Sequence, residues 1–314
     1  MPAGDDPASR FIPHRADLLG LAYRMTGSLA TAEDIVQDAF LRWQAADRTE
    51  VAQPRAWLLK AVARLSIDHI RSARNRHEVY VGPWLPEPLI TAGESPQETA
   101  FAQTQRVSVA VLLTLQRLTP AERAVFILHD LFDTPFAELA TLLGRTEAAC
   151  RKLASRARAH LTDAETRHPV ADGDGERIAR AFHAASRDGD GEALRALLAE
   201  AAVLRTDGGG VRPSALNPIG GADRIARFFA GIARKRSRTP ILLHLGRING
   251  LPGFVTLEPD GLPQTTALEI REERISAIYI VRNPDKLGRV GVQLAALGKS
   301  APAAGPVQIA SATF

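Results

Sequence analysis

The stretch FAELATLLGRTEAACRKLASRARAHL, residues 136–161, carries two helical patterns on either side of one glycine. The first, from about 135 to 143, presents Phe136, Leu139, Ala140 and Leu143 on one side. The second places Cys150, Leu153, Ala157 and Leu161 at i, i+3, i+7 and i+11, a narrow apolar stripe. Arg151, Lys152, Ser155, Arg156 and Arg158 lie largely outside it. A helix with so little to bury docks closely on its predecessor across the Gly144-Arg145 turn and projects its cationic side. That is helix-turn-helix geometry, which fits a DNA major groove. Arginines there hydrogen-bond guanine edges, each bidentate pair giving roughly 1–3 kcal/mol of discrimination, or touch phosphates without sequence preference. A basic amphipathic helix on its own can equally present a solvated face, but the preceding helix and turn favour the groove. Cys150 reads as a small buried apolar residue rather than a redox sensor.

Upstream, residues 10–78 read as helices almost throughout. The segment 11–25 has Leu18, Leu19, Ala22, Tyr23 and Met25 at helical spacings, with Gly27 as its stop. Thr31 opens T-A-E-D, a capping-box pattern, and predicts a helix to about Trp43. On that helix Val36, Ala39, Phe40 and Trp43 form an apolar stripe. Asp34, Gln37, Asp38 and Leu41 repeat the same spacing about 200° around, a second organised face that is otherwise an ordinary acidic solvent surface. Pro54 starts a third helix, on which Lys60, Arg64, Arg71 and Arg74 fall near one line, with Asp68 placed to pair with Arg64 or Arg71. Such a stripe suits a nucleic-acid backbone. Trp57 reads as core in preference to a base-stacking platform.

Between these halves, GPWLPEPLITAGESPQE (82–98) holds four prolines and two glycines and cannot be one regular element. Helix signals resume at about Thr99, and Thr119, Pro120 and Glu122 mark a capped helix start. After the break at 167–176 the pattern changes. Two short helices, about 175–187 and 190–199, precede the strand-like 201–207 and the helix-like 221–235. Four strand candidates follow at 239–248, 253–259, 265–272 and 274–282, which predicts an α+β domain with a curved antiparallel sheet. The Ala-, Gly- and Pro-rich segment 291–314 predicts a disordered tail.

At 314 residues the chain calls for two or three domains, and its net charge of +4 says little about partners. One cysteine excludes an internal disulfide framework and a cysteine-cluster zinc site. No apolar run reaches membrane-spanning length and the first residues do not read as a signal peptide, so a cytoplasmic protein with no membrane partner is expected. No H-x-x-x-H or G-x-S-x-G occurs, and D-G-G-G at 207–210 reads as a turn. The expectation is no catalytic residue, no metal and no cofactor. His183, Asp207, His244 and Glu269 could line a C-terminal pocket and do acid–base work, though nothing in the sequence fixes their geometry, and a small-molecule ligand for that domain stays open.

Three segments, at 25–43, 54–76 and 118–158, in that order and spacing, resemble regions 2 and 4 of extracytoplasmic-function sigma factors of bacterial RNA polymerase. YVGPWLPEPL (80–89), the pattern after 173 and NPDKL (283–287) further resemble the sigma-J-like subgroup, which carries a C-terminal SnoaL-like (NTF2-like) regulatory domain. The resemblance implies a multidomain chain. Two all-α sigma domains would occupy 10–80 (region 2, a helical bundle) and 99–166 (region 4, helix-turn-helix), joined by a linker over 81–98, and the SnoaL-like domain would occupy 173–290. It implies docking of Asp34, Gln37, Asp38 and Leu41 on the β′ clamp helices of core RNA polymerase, with the β flap as a further contact. Lys60, Arg64, Asp68, Arg71, Arg74 and Asn75 would engage the promoter −10 element, and Arg145, Thr146, Arg151, Lys152, Ser155 and Arg158 the −35 element. Trp84, Leu85, Pro86, Asn283, Pro284, Asp285, Lys286 and Leu287 would form an interdomain regulatory contact. Two positions depart from the pattern: Val211 stands where the subgroup's D-G-G-G-K has lysine, leaving Arg212 as the adjacent cation, and Leu65 stands where many relatives have Asn.

Overall fold

The computed structural model describes residues 6–47, 51–77, 81–91, 109–165 and 172–298. Helices α1 (Pro7–Phe11), α2 (Arg15–Thr26), α3 (Leu29–Ala45) and α4 (Pro54–His77) pack through Leu18, Leu21, Met25, Ile35, Trp43 and Leu58, all buried. The Trp57 ring lies 5.4 Å from that of Trp43, inside this packing. Helix α2 stops at Gly27, whose φ of 73° turns the chain sharply and lets its amide donate to Tyr23 O at 2.7 Å. Helix α3 starts at Leu29, two residues before the Thr31 that the capping-box pattern nominates. Ser28 is its N-cap, and the early start is possible because Glu87, from the linker, accepts the free amide of Leu29 at 2.7 Å.

Beyond the linker come α5 (Val109–Arg117), α6 (Pro120–Phe126) with a π turn over Ile127–Leu131, α7 (Phe136–Leu143) and α8 (Glu147–Glu165). The helix start expected at Thr99 lies outside the described residues. The Thr119/Glu122 capping box is formed. One continuous apolar core runs from Phe11 to Leu161, so both helical regions share it. The buried guanidinium of Arg123 on α6 donates to Met25 O at the end of α2 and ties the two.

The C-terminal part has α9 (Asp172–Asp188), α10 (Gly191–Leu197) and α11 (Ala222–Lys235) against one sheet. Its strands are β1 (Ile90–Thr91), β2 (Leu198–Asp207), β3 (Ile219–Gly220), β4 (Ile241–Ile248), β5 (Leu251–Leu257), β6 (Pro263–Arg271) and β7 (Arg274–Val281), in the order β1-β4-β5-β6-β7-β2-β3. Three expectations need correction here. The sheet is mixed rather than antiparallel, because the helix-bearing return from β2 to the β4–β7 meander lets β2 run parallel to β7. The linker supplies a strand of its own, with Ile90 and Thr91 pairing with Ile248 and Arg247. The chain after 290 is not all tail: α12 (Pro284–Leu287) is followed by α13 (Val290–Ala296), whose Val290 and Leu294 are buried, while 299–314 lie outside the described residues.

The reason lies in the sheet. Successive residues of β5–β7 alternate between two apolar clusters: Phe254, Leu268, Ile278 and Ile280 face α9–α11, while Val255, Ala267, Tyr279 and Val281 face the other way. That second face is covered by Leu85 and Ile90 of the linker, Val109 of α5, and Leu287, Val290 and Leu294. A sheet buried on both faces needs a lid, and here the lid is the segment joining the two helical regions.

Candidate nucleic-acid interface

The helix-turn-helix forms as the spacing predicts. Gly144 adopts φ 61° between α7 and α8, and Cys150, Leu153, Ala157 and Leu161 are buried against the shared core. Arg145, Thr146, Arg151, Lys152, Ser155 and Arg158 all remain exposed. Thr146 also accepts from Ala149 N at 3.2 Å, an N-cap that orients the helix start. Arg151 pairs with Glu147 at 2.6 Å and Arg158 with Asp130 at 2.5 Å. Exposed pairs of this kind contribute about 0–1 kcal/mol, so DNA phosphates can displace them.

On α4, Arg64, Asp68 and Arg71 are exposed, and Arg74 and Asn75 belong to the helix but their side chains lie outside the described residues. The expected pairing of Asp68 with Arg64 or Arg71 is not made among the described residues: on an open helix surface the ordering of two long side chains offsets so small a gain. Lys60 is half-buried and pairs with Glu138 of α7 at 2.9 Å. The cation at the head of this stripe is thus held by α7 of the second helical region.

Asp34, Gln37, Asp38 and Leu41 occupy the outer side of α3, all exposed, with Leu41 at 55 %. The four side chains thus form one exposed strip, an apolar residue beside two carboxylates and an amide. Immediately before it, Glu33 receives a two-pronged contact from Arg289, which joins this helix to the C-terminal domain.

The linker is gripped from both sides. The Asp207 carboxylate, fully buried, accepts from Leu85 N at 2.8 Å, Lys286 Nζ at 2.7 Å and Gly209 N at 3.0 Å. Lys286 Nζ also donates to Leu85 O at 2.6 Å and sits 4.1 Å from the Trp84 ring centroid. Asn283 caps the single turn of α12 through Asp285 N, and Pro284 fills its first position. Pro86, Leu85 and Leu287 are buried beside this cluster, whereas Asp285 points to solvent. Arg212 does not take the place of the subgroup's lysine. It makes a two-pronged pair with Asp260 and donates to Pro263 O, inside the C-terminal domain, while Val211 is exposed.

Burial pushes the Lys286 amine down to about 8, against the pull of Asp207. Because the folded value lies below the ordinary 10.5, the unfolded chain binds the proton more tightly, and stability rises as pH increases from about 8 to 10.5. In Lys286→Met this positive slope of unfolding free energy against pH is expected to flatten, as urea titrations across that range would measure.

On the other side of the linker, Tyr23 OH donates to Glu87 O at 2.8 Å and accepts from Asn249 Nδ2 at 2.6 Å. Asn249 also exchanges bonds with Leu89, donating from N at 2.7 Å and accepting on Oδ1 at 3.2 Å. Gln293 accepts from Ile90 N at 2.7 Å. Helical spacing places Tyr23 on the α2 stripe but gives no sign of its linker contact, and it does not single out Glu87, Asn249 or Gln293. Only Asn249-Gly250 carried a signal, a hairpin-turn dipeptide, and a turn has no evident reason to be 3 % exposed unless something covers it. A Cβ on Gly27 would sit 2.3 Å from the Trp84 ring at a φ of 73°. Gly27→Ala is therefore expected to cost more than about 2 kcal/mol, from backbone strain plus displacement of Trp84, read as a lowered denaturation midpoint.

The four acid–base candidates do not converge. Asp207 is committed to the linker, and Glu269 accepts from Tyr279 OH at 2.9 Å and from Arg271. His183 and Phe254 stack edge to face, and His244 is buried on β4. No cluster of potential metal ligands occurs among the described residues, and no described helix is long and apolar enough to cross a membrane.

Residues 11–76 match the family described as Sigma-70 region 2, and residues 108–161 that described as Sigma-70, region 4. The chain is 37 % identical over 293 residues to the ECF RNA polymerase sigma factor SigJ of Mycobacterium tuberculosis, covering 88 % of this chain and 92 % of that protein. It is 31 % identical over 292 residues to the probable ECF RNA polymerase sigma factor SigI of the same species, covering 92 % and 98 %. The crystal structure of M. tuberculosis SigJ superposes with a TM-score of 0.71 at 34 % identity, over 90 % of this chain and 98 % of that one. Since this likeness runs through both helical regions, the linker and the sheet domain alike, the chain belongs to the extracytoplasmic-function family of RNA polymerase sigma factors.

Proposed function

We propose that this sigma factor directs core RNA polymerase to promoters with two recognition elements, and that its C-terminal domain modulates the step by holding the linker. The acidic face of α3 would dock on the polymerase clamp, the basic side of α4 would engage the −10 element, and α8 would enter the major groove at the −35 element. The chain makes and breaks no bonds itself, and it works in the cytoplasm beside the polymerase.

The observation that carries the regulatory part is the grip on residues 84–91, by Asp207 and Lys286 on one side and by Tyr23 and Asn249 on the other. A linker so held cannot lengthen, and the two DNA-facing regions stay on their shared core. That core is imperfect at the seam. A cavity of about 450 Å³ lies there, lined by Leu59, Lys60, Leu128, Phe132, Glu138 and Leu142. A poorly filled contact of this kind favours separation once polymerase or DNA competes for either partner. Run-off transcription with purified core enzyme tests the reading. The full chain is expected to yield discrete transcripts from a cognate promoter, and the absence of any start-site selection over a promoter library would reject it.

A further inference from the structure

We propose that the C-terminal domain binds a small amphipathic carboxylate in the cavity between α11 and the sheet, with the acid group on Arg282 and Arg236. The cavity has a volume of about 500 Å³, in the range that takes an organic molecule of moderate size. Phe228, Phe229, Ile232 and Ile280 form an apolar wall. A narrow extension shares Phe229, Arg236, Glu258 and Gln264 with it and continues to His183 and Phe254.

The polar groups on the wall carry an imbalance. Asp260 is consumed by the two-pronged contact from Arg212. Glu258 takes the Thr256 hydroxyl at 2.8 Å on one oxygen and stands 3.8 Å from Arg236 on the other. Lys235 adds a further positive charge at the rim. Arg282 donates to Pro213 O at 2.6 Å, but its buried Nε has no partner among the described residues and no carboxylate pairs with it. A half-buried guanidinium with a vacant donor is a place for an anion. At the far end His183 is 8 % exposed, and its Nε2 is buried without a partner among the described residues. Burial, then the charge of Arg187, lowers its affinity for a proton, which favours the uncharged ring as a hydrogen-bonding group. Two guanidinium groups, an apolar wall and, in the narrow extension, an imidazole with an unpartnered nitrogen: this set of groups matches an acid with an apolar body and one further polar atom.

Occupancy also has a route to the linker. Arg282 N and Asn283 N both donate to Asp207 O, at 2.7 and 3.0 Å, and Thr206 of the cavity wall precedes the residue that holds Leu85. This consequence rests on the regulatory reading above, whereas binding itself does not.

Calorimetric titration of the full chain with naphthalene-2-carboxylate, naphthalene-2-carboxamide and 2-naphthylmethylammonium tests the site. The carboxylate is expected to bind at least about 10-fold more tightly than the amide and the cation to bind worst, since charge-assisted pairing is worth over 1 kcal/mol. Arg282→Gln is expected to remove the preference for carboxylate while leaving amide binding unchanged. Arg236→Gln, further from the linker, gives the same readout should Arg282→Gln fail to fold. Equal binding of acid and amide, a preference that survives both substitutions, or no saturable binding of the acid up to about 10 mM would overturn the proposal. Acid binding without any change in run-off transcription would leave the site standing and remove only its link to regulation.

Discussion

Asp207→Ala is expected to destabilise the folded chain by about 3–5 kcal/mol, the largest loss from any single substitution considered. The carboxylate is fully buried and accepts from at least three donors, of which Leu85 N and Lys286 Nζ lie outside its own loop. Removing it leaves an ammonium ion in a site where its side chain is 13 % exposed, along with two backbone amides that have lost an acceptor. Lys286 can relieve part of the cost by releasing its proton. The loss should therefore be greater below pH 8 than above it, which separates this mechanism from a simple cavity. Adding Lys286→Met should restore part of the stability, because the pair is then replaced by apolar groups instead of being split. The double-mutant cycle, measured in urea, is expected to give a coupling of at least 1.5 kcal/mol. Wild-type stability in Asp207→Ala would mean that the linker is held by apolar burial alone, and the regulatory reading would lose its central contact.

This cluster also shows where the sequence was legible. The apolar stripes of α3 and α8 depend on spacing within a single element, so 3.6-residue periodicity was enough to place Trp43 and Cys150 in the core and to leave Asp38 and Arg151 outside. The four strands β4–β7 were equally local. The grip on the linker depends on residues far apart in the chain, such as Asn249 against Tyr23 and Glu87 against Leu29, and periodicity holds no information on such pairs. Trp84 and Lys286 were reached only through the family resemblance. Asp207 was grouped with histidines because an isolated acid offers no hint of which distant amine it will meet. The early start of α3 has the same origin: its cap comes partly from Glu87, which no local capping rule includes. The α13 segment was misread because Val-Gly-Val-Gln-Leu-Ala-Ala has a weak helical pattern and is ordered by what it covers.

Reversing the charge at Asp34 and Asp38 together, as Asp34→Lys with Asp38→Lys, is expected to lower affinity for core polymerase by ~100-fold or more, with an equal fall in promoter-directed transcription at limiting sigma factor. Both carboxylates are exposed on α3 beside Leu41, and neither makes an ion pair within the chain among the described residues, so the fold's stake in their sign is limited to the longer-range pull of Asp34 on Arg289. Stability should change by less than about 1 kcal/mol. The DNA contact proposed for Arg151 and Lys152 of α8 and for Arg145 in the turn before it involves residues off α3, and should be untouched. The substitution thus divides two kinds of protein that share a helix-turn-helix. A repressor acting alone would keep its function, because it has no use for an acidic face on another domain. A polymerase subunit would keep its fold and its DNA-facing helix and lose its activity, since like-charge contact at a docking surface costs several kcal/mol and also slows encounter. Co-purification with core enzyme and run-off transcription, set beside the circular dichroism of the variant, separate these outcomes. Arg289 gives an internal control. It already pairs with Glu33 one residue before Asp34, so new lysines would also face this cation, and the end of α3 nearest the C-terminal domain should be the first to loosen its contact.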